Sequence, residues 1–238
     1  MKNKQVTLLQ VRDDETARVH EQECFANAGR LAIEDLQCID LVHGPRLEWS
    51  QVDRSNALLI GGAGAHSAVE DHPFTESLTE VVLRWIEVGR PIFGSCWGHH
   101  FLAKALGGEV VHDRAGSEIG SFPITLTPRG GEDPLFEEVP ETFVAQLGHH
   151  DRVKRLPPGA VELAFSERCR NQAFKLESRP VYGTQFHSEL DAEHLMDRLR
   201  MYDEEYLDEE TNVQSIAEAL RSSPHAHTPL RRFLEQFG

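Results

Sequence analysis

The chain has 238 residues, 39% of them hydrophobic, and 24 Lys and Arg against 39 Asp and Glu leave a formal charge of −15. That length suits one domain with a self-sufficient core. The acidic balance argues against a nucleic-acid or anionic-membrane surface, since both need basic patches.

No apolar run approaches the roughly 20 residues of a membrane span. The short apolar run near the N-terminus has no small-residue cleavage site after it, so no signal peptide is expected. Four cysteines, at 24, 38, 96 and 169, show no CxxC pairing. A disulfide framework is not expected, and a reducing, cytoplasmic setting is the default.

The rhythm along the chain is strand, helix, strand. Residues 6–11 read as a first buried strand, and Asp13 and Asp14 open a helix that Gly29 should end. A second strand is expected over 38–42 and a third over 57–60, stopped by Gly61 and Gly62. Leu78, Val81, Val82, Trp85 and Ile86 form one apolar helical stripe, closed by Gly89. A fourth strand covers 91–93, and the helix after it ends at Gly107 and Gly108. Phe122, Ile124 and Leu126 alternate with polar residues, as on a half-exposed antiparallel strand. The stretch 128–140 reads as loop, with further strands over 161–165, 172–176 and 181–186. Leu195, Leu199 and Tyr202 then form a helical stripe. An acidic run over 203–210 reads as a solvated helix end, and Thr211 with Gln214 as a capping box for a further helix. Apolar strands alternating with helices imply an α/β fold with a mostly parallel sheet covered on both faces. One domain over 1–238 is expected, with a C-terminal helical extension from about 203.

One cysteine stands apart. Cys96 lies in Gly94-Ser95-Cys96-Trp97-Gly98, where the fourth strand should turn into a helix. A tight strand-to-helix turn needs glycines on both sides, because it pushes the middle side chain out above the sheet. The following helix aims its amides and positive dipole end at the sulfur, which favours a thiolate nucleophile. The alternative is a small packed cysteine with glycines that serve only the turn. A nucleophile needs a base and the base an orienter. His187 and Glu189 lie two apart after an apolar strand, so an extended chain points both the same way. Gly62 can offer a bare N–H to an oxyanion, and Trp97, just after the sulfur, a second. No GxxxxGK[ST] loop is present, so nucleotide binding is not expected.

These residues resemble a class I glutamine amidotransferase, most of all stand-alone proteins similar to the glutaminase domain of GMP synthase. The resemblance rests on Gly61 and Gly62, the Gly94–Gly98 elbow, and Gln185-Phe186-His187-Ser188-Glu189, in that order. It implies a flavodoxin-like three-layer sandwich. It also implies Cys96 as nucleophile, His187 as acid and base, Glu189 as its partner, and the amides of Gly62 and Trp97 as the oxyanion hole. Gly61, His100, His149, His150 and Asp151 would hold substrate. Two departures stand out: His100 occupies a position that is commonly Gln in the family, and Ser188 replaces the usual Pro.

The implied reaction is hydrolysis of the side-chain amide of glutamine, or of a related γ-glutamyl amide, through a cysteinyl thioester. With no ATP-binding motif in the chain, ammonia would pass to a separate synthetase subunit. The alternatives are a γ-glutamyl peptidase and a non-catalytic scaffold retaining the fold. No cofactor, metal, nucleic acid or membrane partner is expected, since the histidines match no ligand spacing such as HExxH. Cys24 and Cys38 read as core, Cys169 as part of a surface loop, and His225 and His227 as a surface turn.

Overall fold

The computed structural model describes residues 5–202 and 213–238. The first half of the chain is β1 (Val6–Val11), α1 (Glu15–Gly29), β2 (Leu36–Asp40), β3 (Ala57–Ala63), α2 (Thr75–Glu87), β4 (Ile92–Ser95) and α3 (Trp97–Ala105). Then come β5 (Glu109–His112), β6 (Glu118–Leu126), α4 (Pro128–Gly131), β7 (Thr142–His149), β8 (Asp151–Arg155), β9 (Ala160–Phe165), β10 (Ala173–Leu176) and β11 (Val181–Thr184). Among the described residues the chain then continues with α5 (Ala192–Met201), α6 (Val213–Ala219) and α7 (Thr228–Phe237). The main sheet has nine strands in the order β2-β1-β3-β4-β11-β10-β9-β6-β7, and β5 pairs with β8 in a small second sheet. From β2 to β11 neighbouring strands are parallel; from β11 to β7 they are antiparallel.

Adjacent residues on the central strands face opposite layers, as the period of two requires. Leu9, Leu58 and Ile60 pack with α2 and α3, around Trp85 and Phe101. Leu8, Leu59 and Phe93 pack with α1 and α7, around Phe25 and Phe233. The three-layer α/β architecture is therefore as expected.

Several boundaries differ for local reasons. The second strand is 36–40 rather than 38–42, because Asp40 Oδ1 accepts from Val42 N (2.9 Å) and His43 N (3.1 Å) and turns the chain. The third strand runs through Gly61 and Gly62 to Ala63, so these glycines are strand rather than turn. Gly29 is the last residue of α1, and Arg30 (φ 53°) makes the left-handed exit. What Gly29 provides is close approach: a Cβ there would lie 2.5 Å from Leu234 Cδ1. Residues 128–140 hold α4 and a 3-10 turn, capped by Thr127 and Asp133. The alternation of buried Phe143, Ala145 and Leu147 in β7 was a readable strand signal. Cys169 is buried at 3% exposure rather than in a surface loop. His227 is half-buried, and its Nδ1 donates to Ser188 O at 2.8 Å. The acidic run and Thr211 of the capping box lie outside the described residues.

Candidate active site

Cys96 sits between β4 and α3 with φ 50° and ψ −101°, a conformation that L residues rarely adopt. Gly94 and Gly98 make it possible. A Cβ on Gly94 would lie 2.5 Å from the Gly98 carbonyl, and one on Gly98 would lie 2.4 Å from Ile60 O. Strand, helix and neighbouring strand thus meet backbone to backbone. Cys96 N donates to Thr184 O (2.8 Å), which pins the elbow to the end of β11.

That pairing delivers His187. β4 and β11 run parallel, with Ser95 opposite Thr184, so the chain leaving β11 emerges beside the elbow. His187 N donates to Gln146 O (2.9 Å), bracing the segment against β7. His187 Nδ1 lies 2.7 Å from Glu189 Oε1, and Ser95 Oγ donates to Glu189 Oε2 at 2.6 Å. All four side chains are buried. Burial disfavours the charged imidazole, but Glu189 and Cys96, by charge and hydrogen bonding, together raise His187 to about 9. Burial likewise opposes ionised Glu189, yet the His187 charge and the hydrogen bonds from His187 and Ser95 hold it at about 2.

Cys96 opens into a cavity of about 340 Å³, walled by Trp97, His100, and the backbone corner from Gly148 to Asp151. Cys96 Sγ lies 3.8 Å from Gly148 O. Trp97 stacks on Phe101 at 5.4 Å between ring centres, so it serves both wall and packing. His100 Nε2 is 2.6 Å from Gln185 Oε1, and burial pushes its pKa down to about 4, leaving the ring neutral near pH 7. Asp151 also lines the cavity. Its Oδ2 accepts from Ser67 Oγ (2.7 Å) and Ala68 N (3.0 Å), and its Oδ1 lies 3.0 Å from His112 Nδ1.

Two predicted residues sit elsewhere. Gly61 and Gly62 do not line the cavity; they pack against buried Glu21, and Gly62 N donates to Glu21 Oε1 at 3.2 Å. Glu21 in turn pairs with Arg12 NH2 at 3.0 Å. The imidazoles of His149 and His150 diverge. His149 reaches Asp151 O (2.9 Å) and Glu118 Oε2 (3.2 Å), while His150 Nδ1 lies 2.7 Å from Ser117 Oγ. The wall also includes Ala65, His66, Ser67, His112 and Arg114, which no short sequence motif marks. Ser95 as a holder of Glu189 was also missed, although its place beside the nucleophile was visible.

Among the described residues, two clusters bring metal-ligating atoms together: His20, Cys24 and His194, and Glu118, His149 and Cys169. Protein hydrogen bonds already engage them. Arg198 donates to His20 Nδ1 (3.1 Å), and Gln172 Nε2 donates to Glu118 Oε2 (2.6 Å) beside His149.

Residues 42–199 match the family model described as glutamine amidotransferase class-I. A glutamine-hydrolysing GMP synthase subunit from Methanocaldococcus jannaschii is 42% identical over 100 residues, covering 42% of this chain and 51% of that one. Its counterpart from Methanopyrus kandleri is 33% identical over 136 residues, covering 57% of this chain and 67% of that one. The match thus spans about half to two thirds of these relatives' length. A glutamine amidotransferase structure from Thermotoga maritima superimposes with TM-score 0.76 at 24% identity, covering 97% of this chain and 96% of that one, which shows a shared fold. With the family model matched across the elbow, the cavity and the His-x-Glu segment, the chain belongs to the class-I glutamine amidotransferases.

Proposed function

We propose that this protein hydrolyses the side-chain amide of glutamine through a thioester on Cys96. The observation that carries the reading is the continuous chain Cys96–His187–Glu189–Ser95, with its sulfur at a strained elbow opening into the cavity. The sulfur attacks the amide carbon as thiolate, the nucleophilic form. The His187 imidazolium then protonates the departing nitrogen, and ammonia leaves. Deprotonated His187 next takes a proton from water, which attacks the thioester and releases glutamate. Glu189 fixes the imidazole tautomer throughout.

The oxyanion falls to Trp97 N–H, the first amide of α3, which a helix leaves without an intrahelical partner. Gly62 N–H becomes the second donor by exchanging the 3.2 Å contact with Glu21 for the oxyanion. Such a donor is worth ~2.7–4 kcal/mol to the transition state. His100 and the corner His149–Asp151 hold the amino-acid end, and Gly61 lets Glu21 approach the strand. A separate synthetase subunit takes the ammonia, a reading supported by the relatives, which are themselves named as one subunit of a synthase. The protein acts as one domain, with its C-terminal helices built into it. We place it in the cytoplasm, in keeping with its unpaired cysteines. No helix among the described residues is long and apolar enough to cross a membrane.

The test is direct. Purified protein given glutamine should release ammonia and glutamate, and Cys96→Ala should lower the rate by roughly 10⁴–10⁶-fold. Unchanged turnover in that variant would remove Cys96 from the chemistry. A second reading, cleavage of γ-glutamyl peptides, is favoured by the size of the cavity, about 340 Å³, whose lining also takes in Ser67, His112 and Arg114.

A further inference from the structure

Arg114 lines the same cavity as Cys96, and its guanidinium makes no ion pair or hydrogen bond among the described residues. We propose that Arg114 is a specificity residue that binds a carboxylate of the substrate. The proposal rests on the amidohydrolase reading above and adds the chemical class of group that the outer cavity takes.

The first support is the ordered backbone turn that carries the side chain. Arg114 begins a 3-10 turn, Arg114–Gly116, capped by Asp113, whose carboxylate accepts from Gly116 N at 3.2 Å. Asp113 is held from two sides. Its N donates to His150 O (2.8 Å), and its Oδ2 accepts from Arg152 Nε (2.6 Å). Ser117, just after the turn, meets His150 Nδ1 at 2.7 Å. The turn is therefore bolted to the corner that walls the cavity. The main chain carrying the guanidinium is thus already ordered, and only the rotamers of the exposed side chain itself are fixed when an anion binds.

The second support is the charge around it. Among the described residues, the one carboxylate lining the cavity, Asp151, is already taken by Ser67, Ala68 N and His112. Asp113 is satisfied by Arg152. Neither competes for Arg114. In a chain of net charge −15, the described residues lining this cavity thus include one unpaired permanent cation. A planar guanidinium matches a carboxylate with two parallel N–H···O bonds.

The carboxylate has two chemical sources: the α-carboxylate of the glutamyl group, or the terminal carboxylate of a γ-glutamyl dipeptide's leaving half. Four substrates separate them: L-glutamine, its α-carboxamide, γ-glutamylglycine and γ-glutamylglycinamide. Arg114→Gln and Arg114→Lys are compared with the unaltered protein. If the α-carboxylate is the ligand, Arg114→Gln raises KM for glutamine by roughly 10–100-fold with kcat little changed, Arg114→Lys restores part of it, and the α-carboxamide shows no such rise. If the leaving half supplies it, the rise appears for γ-glutamylglycine and is absent for its glycinamide. Equal effects on the charged and neutral members of both pairs, or none on any, would overturn the proposal. Binding of the same four compounds to Cys96→Ala, with and without Arg114→Gln, needs no turnover. Carboxylate-selective binding without hydrolysis by the unaltered protein would retain Arg114 and sink the proposed reaction. Hydrolysis indifferent to Arg114 would do the reverse.

Discussion

Burial alone would strip the proton from His187; the carboxylate of Glu189 at 2.7 Å and the neighbouring sulfur reverse that preference. The consequence is a pH dependence of stability. A raised His pKa contributes fully below the unfolded value of 6.5 and is lost as pH rises through about 9. The depressed Glu189 contributes above its ordinary 4.5 and is lost as pH falls through about 2. Thermal melting followed from pH 6.5 to 9 should show Tm declining, and Glu189→Gln should flatten that decline. An equal slope in the variant would show that the pair does not set it. The Gly62 amide belongs to the same scale. Its bond to Glu21 is long, and Glu21 keeps Arg12 and Gln10 as partners if Gly62 turns away.

At the scale of elements, the elbow carries the strain. Cys96 at φ 50° is tolerated because β4, α3 and β3 close on it through Gly94 and Gly98. Glycine adopts that conformation freely. Cys96→Gly should therefore stabilise the fold by about 1 kcal/mol, raising Tm by roughly 2–4 °C, while abolishing the proposed turnover. A lower Tm than that of the unaltered protein would show that the sulfur's packing outweighs the backbone strain. The same elbow explains why the chain after β11 lands beside the sulfur, since Cys96 N is hydrogen-bonded to Thr184 O.

For the whole molecule, the C-terminal helices are part of the core rather than an appendage. Phe233 of α7 is fully buried, with ring centres 5.4 Å from Phe93 and 6.2 Å from Tyr182. Leu234 packs where Gly29 leaves room on α1. Phe233→Ala should cost about 3–5 kcal/mol in denaturant unfolding, with kcat/KM on glutamine unchanged below the transition. A loss under 1 kcal/mol would mean the helix is only laid against the sheet. His227 ties this region to the site through Ser188 O, so the tail also braces the segment that carries His187 and Glu189.

The sequence by itself determined the parallel strands, the elbow and the His-x-Glu pair. Each depends on local rules: apolar periodicity, the steric need for Gly94 and Gly98, and the two-residue repeat of an extended chain. β7 was legible but overlooked, because its apolar alternation follows a loop-like stretch. Only the tertiary structure decided the rest. Ser67 and Asp151 meet from 84 positions apart, Glu21 reaches Gly62 from 41 apart, and Arg114 joins the wall across a second sheet. It also buried Cys169 and turned His227 inward. Such meetings depend on how layers pack and where loops close, and no short window of residues encodes them.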